Sequence, residues 1–592
     1  MVIKERLIKL RELMKNEGIS AYIIPSTDAH QSEYVGEYWK CRQWISGFTG
    51  SAGTVVVTLD KAGLWTDGRY FIQAEKQLLG TGIDLFKMGE SGVPSFSEWI
   101  RENLKPGEKV AFDGKVFSMA AAEKLKAELS LKNIEVIMNL DFIGQIWKDR
   151  PSIPEDKIFI HQVKYTGKSR TDKFNEVRKI MAEKGANYYL LASLDDICWL
   201  FNIRGRDIPS NPYVTSYAVV GEEKCYLFVN MKKVDDKARE ELEKDGVILK
   251  EYNEIFKFLE QLDNEASIIF DSNKVNAYLY NSINTMVKKI DEYNLTTMLK
   301  AVKNDVEVEN IKMAYIKDGV ALVKFFKWLK ENVEKQTITE IDAENKAEEF
   351  RMQQELFLEP SFATIAGYKE HAAMMHYKAN SETTYVLKPE GFFLIDSGAH
   401  FLNGTTDITR TVSLGKLTEE EKRDFTLVLK SVIALSTAKF LNGATGSNLD
   451  VIARIPLWNC GLDYKCGTGH GVGYCSNVHE EPQRFSQVPN TIKLIKGMTI
   501  TIEPGIYKEG LHGIRTENTV LVVEDEKTEF GQFMRFETLS FIPIDRRAIV
   551  KEMLTIEEVQ WINCYHRKVF EVLSPHINEE EVQWLESETA EI

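Results

Sequence analysis

The sequence predicts an α/β (α+β) architecture: two α/β domains of related plan in tandem, then a third domain built on β-hairpins, then a helical C-terminal tail. Three observations predict it. The chain has 592 residues, too many for one hydrophobic core and enough for about three to four domains at roughly 150 residues each. A helix-then-strand grammar met at the N-terminus is met again near residue 174. Two further stretches, near residues 391–414 and 497–523, read as β-hairpins with acidic residues inside apolar runs.

Taken in order, Ile3, Leu7, Leu10 and Met14 recur at helical spacing, Gly18 ends the pattern, and AYIIP is a short β-like run. FNEVRKIMAEKG followed by NYYLLAS has the same form. Each copy continues into a polar stretch with aspartate, STDAH and SLDDI. The polar, twice-prolyl KDRPSIPEDK separates the copies. This places a first domain at 1–152 and a second at 153–302. The third, 303–545, opens on a long helical pattern, KNDVEVENIKMAYIKDGVALVKFFKWLKENV. In the tail, 546–592, Thr555 with Glu558 forms a capping box before a helix, and the segment reads as a packing appendage.

Composition narrows the function. With 74 basic against 89 acidic residues the chain carries net charge −15, which argues against a basic surface for polyphosphate, so no nucleic acid partner is expected. Its start, MVIKERLIKLRELMKNEG, lacks the apolar run of a signal peptide, and no segment has about 18 consecutive apolar residues, so no membrane partner is expected. Seven cysteines scattered from Cys41 to Cys564 fit a reducing compartment, and the protein reads as cytoplasmic.

Chemistry concentrates in the third domain. Residues 466–482, CGTGHGVGYCSNVHEEP, set Cys466, His470, Cys475 and His479 in the order C-x3-H-x4-C-x3-H. Structural zinc sites open on a C-x2-4-C knuckle, and none is here. The alternation of Gly467, Gly469, Gly471 and Gly473 suits a backbone that a ligand or metal approaches closely. In GFFLIDSGAHFLNGTTDITRTVSL the Asn403-Gly404 pair is a hairpin signal, with Asp396 on one arm and Asp407 on the other. A second hairpin, GMTITIEPGIY and GIRTENTVLVV joined across Lys508-Glu509-Gly510, carries Glu503 and Glu517. Carboxylates are depleted from strands and rarely buried alone. Singly, each has a plain structural explanation, such as a Glu503–Arg515 pair. Together with His470 they form an oxygen-rich set with one nitrogen, suited to two hard or borderline divalent ions, manganese above zinc or cobalt.

The order Asp, eleven residues, Asp, then His in GTGHGVG, Glu in TIEPGIY and Glu in GIRTENTVLV resembles the pita-bread metallopeptidases, which include methionine aminopeptidase, prolidase and aminopeptidase P. Within that group the chain resembles the long, three-domain aminopeptidase P (Xaa-Pro aminopeptidase) form. The resemblance extends over AYIIPSTDAHQSEYVGEYWKCRQWISGFTGSAGTVVVT, WTDGRY, LDDICWLFNIRGRDIPSNPYVTSYAVV and LTIEEVQWINCYH. It implies two creatinase-N-like α/β domains, a pita-bread domain with a curved antiparallel sheet, and hydrolysis of the bond between an N-terminal residue and a following proline. It further implies a dinuclear metal site with a bridging hydroxide, held by Asp396, Asp407, His470, Glu503 and Glu517, with Asp407 and Glu517 spanning both ions. By the same resemblance Glu503 moves the proton, His376 and His479 serve catalysis and substrate binding, Cys466 and Arg515 lie on the substrate side, Arg515 also behind a ligand carboxylate, and the enzyme is a homodimer. Where the family reads HGTGHG this chain has Cys466 in place of the first histidine, and Lys369 and Glu370 stand where small polar residues are expected. The alternative readings are an Xaa-Pro dipeptidase (prolidase) and a non-catalytic peptide-binding module.

Overall fold

In a computed structural model of the chain, which describes residues 2–592, two compact units are found, one of residues 2–163 with 168–297 and one of 164–167 with 298–592.

The first unit contains the repeat that the sequence predicts. Helix Ile3–Asn16 buries Leu7, Leu10 and Met14 and leads into strand Ala21–Pro25. That strand lies inside a six-stranded sheet in the spatial order 84–87, 62–66, 54–58, 21–25, 109–112, 135–138. Its middle pairings are antiparallel, and its outer ones, together with 21–25 on 109–112, are parallel. The second sheet, in the order 247–250, 225–229, 216–221, 188–191, 267–270, 288–291, has the same sequence of antiparallel and parallel neighbours. Helix Arg170–Glu183 stands before its strand Tyr188–Leu191 as Ile3–Asn16 stands before Ala21–Pro25. Fully buried valines, leucines and isoleucines on the central strands supply both cores, as parallel pairing covered on both faces requires.

The second unit opens on the 28-residue helix Asp305–Asn332, capped by Asn304, which accepts from Val306 N–H and Glu307 N–H. The helix buries Ile311, Tyr315, Leu322, Phe325, Phe326 and Leu329 against antiparallel strands. Those strands form several small sheets, not one continuous ladder. Ile365–Tyr368, Phe392–Ser397 and Ile408–Ser413 make a three-stranded sheet. Thr499–Ile502 lies between Gly469–Gly471 and Asn518–Thr528 in a six-stranded one, and Gly505–Lys508 pairs with His512–Arg515. The first hairpin turns one residue earlier than expected, at 402–403, because Phe401 pairs with Gly404 and His400 with Thr405. The second hairpin turns one residue later than expected, at 509–511, because Lys508 pairs with His512. Thr555 caps helix Ile556–Leu573 and Glu558 completes the capping box.

Candidate metal centre

One carboxylate of the predicted set lies within a ladder, and three do not. Asp396 stands on strand Phe392–Ser397, opposite Thr409 on one side and Ile365 on the other. Asp407, Glu503 and Glu517, expected on hairpin strands, each fall in a two-residue break: Thr406-Asp407, Glu503-Pro504 and Thr516-Glu517. At these breaks the chain passes from one sheet to another. Pro504 has no N–H to contribute to a ladder. The freed amides turn elsewhere: Glu503 N–H donates to Thr468 O (2.8 Å) and Glu517 N–H to Thr409 O (3.1 Å). Carboxylates placed at such crossings escape the two-way alternation of a strand and converge.

The convergence is close. Ligand atoms of Asp407, His470 and Glu517 all lie within 4.8 Å of one another. His470 Nε2 is 3.4 Å from Asp407 Oδ2 and 3.3 Å from Glu503 Oε1. Its Nδ1 faces Gly471 O at 2.9 Å, a contact that demands a proton on Nδ1 and leaves Nε2 turned to the carboxylates. Asp396 is 7 % and Glu517 1 % exposed, and Asp396 Oδ1 and Glu517 Oε1 have no hydrogen-bond partner.

The surroundings favour the protonated forms of three of these carboxyls. Burial, then the charges of Asp407, Glu503 and Asp396, push the Glu517 carboxyl well up. Burial raises Asp396 and Glu503 as well, against the opposing pull of Arg515 on the first and of His470 and Arg515 on the second. Burial alone would lower His470, but the hydrogen bond to Asp407 and the Glu503 charge lift it to about 9. Buried carboxylates with orphaned oxygens, facing an imidazole nitrogen whose other side is fixed by a carbonyl, fit divalent cations that would replace those protons.

The remaining predicted residues surround this cluster. The His479 ring meets the His470 ring edge-on, centroids 4.3 Å apart. His376 is half-buried, directly after Met375, whose carbonyl lies 3.5 Å from Arg515 Nη2. Arg515, expected on the substrate side as well as behind a ligand, has all its guanidinium nitrogens on protein groups. Nη2 bonds Asp396 Oδ2 (2.6 Å), Nη1 bonds Tyr507 Oη (2.7 Å) and Nε bonds Thr409 Oγ1 (3.2 Å). Its side chain is 4 % exposed and lies behind the Asp396 carboxylate. Cys466 is half-buried against the apolar cluster near Tyr507, and burial, then Glu503, push its thiol up to about 12. Among the described residues neither Cys466 nor Cys475 belongs to the clustered ligand atoms.

The alternating glycines serve a purpose other than ligand approach. A Cβ on Gly469 would lie 1.8 Å from Thr501 O, and one on Gly471 2.4 Å from Glu480 O. They let neighbouring backbone come close. Lys369 and Glu370 are held at the surface, Lys369 Nζ on Glu390 (2.6 Å) and Glu370 Oε1 by Tyr385 Oη (3.1 Å).

Several supporting residues escaped the sequence reading. Thr409 Oγ1 donates to Glu517 Oε2 (2.7 Å) and Thr501 Oγ1 to Glu503 Oε1 (3.1 Å). The alternating threonines of TTDITRT were the available signal. Buried Arg410 donates through Nη1 to the Glu517 carbonyl and through Nη2 to Tyr565 Oη (2.7 Å) of the C-terminal helix. Nothing in the sequence marks that pair, so the tail predicted as an appendage reaches the back of the cluster.

Family models match in chain order. Two creatinase/prolidase N-terminal domains cover 6–141 and 149–307, metallopeptidase family M24 covers 309–524, and the C-terminal region of peptidase M24 covers 532–592. Xaa-Pro aminopeptidase 1 of Dictyostelium discoideum is 39% identical over 99% of this chain and 96% of its own length. Aminopeptidase P2 of Arabidopsis thaliana is 39% identical over 100% of this chain and 88% of its own. The crystal structure of an X-prolyl aminopeptidase from Caenorhabditis elegans, described as a cytosolic enzyme with a di-nuclear active site, matches with TM-score 0.96 at 33% identity over 100% of both chains. With its whole length matched in this way and its carboxylates gathered around one imidazole, the chain belongs to the Xaa-Pro aminopeptidases of metallopeptidase family M24.

Proposed function

We propose that the protein hydrolyses the peptide bond between a free N-terminal residue and a following proline. The observation that carries this reading is the convergence of Asp396, Asp407, His470, Glu503 and Glu517 in a chain alike over its full length to Xaa-Pro aminopeptidases. These five residues would hold two divalent cations. Manganese is the preferred metal, since four carboxylates against one imidazole form a hard, oxygen-rich set. When bound, the cations supply Lewis acidity that activates water and offsets negative charge at the scissile carbonyl.

The chain's own residues do the rest. Glu503, steadied by Thr501, takes the proton of the attacking water and passes it toward the proline nitrogen as the bond breaks. His376 and His479 donate hydrogen bonds to the carbonyl oxygen as charge develops on it. Arg515 fixes one oxygen of Asp396 and leaves the other free. Cys466 lines the pocket wall with a protonated thiol. The enzyme works in the cytoplasm, in keeping with seven cysteines scattered without a repeating framework and with the cytosolic description of the nematode relative, and as a homodimer.

The test is a metal-stripped sample reconstituted with manganese and given Xaa-Pro-Xaa, Xaa-Ala-Xaa, Xaa-Pro and acetylated Xaa-Pro-Xaa peptides. Cleavage of the first alone, dependent on metal, is the expected result. Cleavage of the dipeptide with sparing of the tripeptide favours a prolidase, and cleavage of the acetylated peptide excludes an exopeptidase.

A further inference from the structure

The loop that carries His376 leaves strand Ile365–Tyr368 and returns at Tyr385. A single carboxylate lies at its base. Glu340, 0 % exposed, is the first residue of helix Glu340–Met352, whose N-terminal turn favours negative charge. Its Oε1 accepts from Tyr368 N–H (2.8 Å) at the loop's entry and from His371 Nδ1 (2.9 Å). Its Oε2 accepts from Tyr377 Oη (2.9 Å), next to His376, and from Tyr385 N–H (2.8 Å) at the exit. The Glu340 N–H in turn donates to Tyr385 O (3.1 Å). His371 is stacked against Tyr385, with centroids 3.7 Å apart, and against Tyr377 at 4.4 Å. No such density of donors is needed to end a strand. Start, middle and end of one loop are tied to one buried acceptor.

We infer that Glu340 is a positioning residue for the reaction: it sets the loop that presents His376. This rests on the placement of His376 on the substrate side. A carboxylate accepts from all four donors, whereas a carboxamide turns its N–H₂ toward the backbone N–H of either Tyr368 or Tyr385, so Glu340→Gln keeps the volume and breaks the tie at one end of the loop.

A double-mutant cycle between Glu340 and His376, read as kcat/KM on an Xaa-Pro-Xaa peptide with bound metal measured in every variant, tests it. Glu340→Gln should lower kcat/KM by about 10–100-fold with metal content unchanged, the usual size of an effect exerted through a ligand-orienting neighbour. In the His376→Ala background the same change should have almost no effect. Tyr377→Phe, which removes one donor and keeps the stacked ring, should show a smaller version of both results and decides the matter if Glu340→Gln does not fold. Additive losses, or loss of metal from Glu340→Gln, would overturn the inference while leaving His376 in place. Full activity of His376→Ala would instead overturn the placement of His376 and the inference with it.

Discussion

His470 is the nitrogen on which the cluster turns, and Cys466, four residues earlier, is the residue that most distinguishes this chain's loop. The two differ in what they face. His470 Nε2 looks onto Asp407 and Glu503, whereas the Cys466 thiol is kept protonated by burial and by Glu503. Only a thiolate is a good metal ligand. Cys466→Ser should therefore keep both ions and much of the activity, while His470→Ala should lose metal and nearly all turnover. Metal analysis of the two purified variants is the check, and loss of an ion from Cys466→Ser alone would restore the thiol as a ligand. The four carboxylates of the proposed set were legible because acidic residues inside apolar runs stand out on chemical grounds, and His470 because glycines frame it. Thr409, Arg410 and Glu340 were not, since a threonine or a salt-bridging residue has many ordinary uses and its partners here lie far away in sequence.

At the scale of elements, the tandem α/β plan could be read from helical spacing and short β-like runs, and it recurs in both sheets. The strand breaks could not, because period-two patterning carries through a two-residue interruption and hides where a chain changes sheets. The glycine loop was legible as a close approach but not as an approach of backbone to backbone. Strand Gly469–Gly471 pairs with both Glu480–Phe485 and Thr499–Ile502, and Gly469 has no room for a methyl group against the Thr501 carbonyl. Gly469→Ala should therefore displace the loop, with a stability loss of about 1–3 kcal/mol from overpacking and a weakened hold on metal. Denaturant unfolding and metal titration measure both, and unchanged values in each would show that the strand has slack the structure does not contain.

For the whole molecule, the cluster couples separate parts of the second unit. Its members come from a three-stranded sheet, a six-stranded sheet and the connections between them, and its buried carboxylates repel one another, a repulsion that Arg515 and His470 offset in part. Cation binding should stabilise the folded state by about 2.7 kcal/mol at a hundredfold excess over Kd. Chelation should lower the midpoint of thermal unfolding and manganese should restore it. A midpoint indifferent to both would mean that the carboxylates hold no structural cation. The Arg410–Tyr565 contact adds a temporal constraint. The strands that bring the acidic residues together end at Thr538, yet the support behind Glu517 comes from a helix that begins at Ile556. During synthesis that helix emerges after all the proposed ligands, so a nascent chain presents every one of them before Tyr565 can reach Arg410. A chain that stops before Tyr565 carries all five proposed ligands without the Arg410–Tyr565 contact behind them.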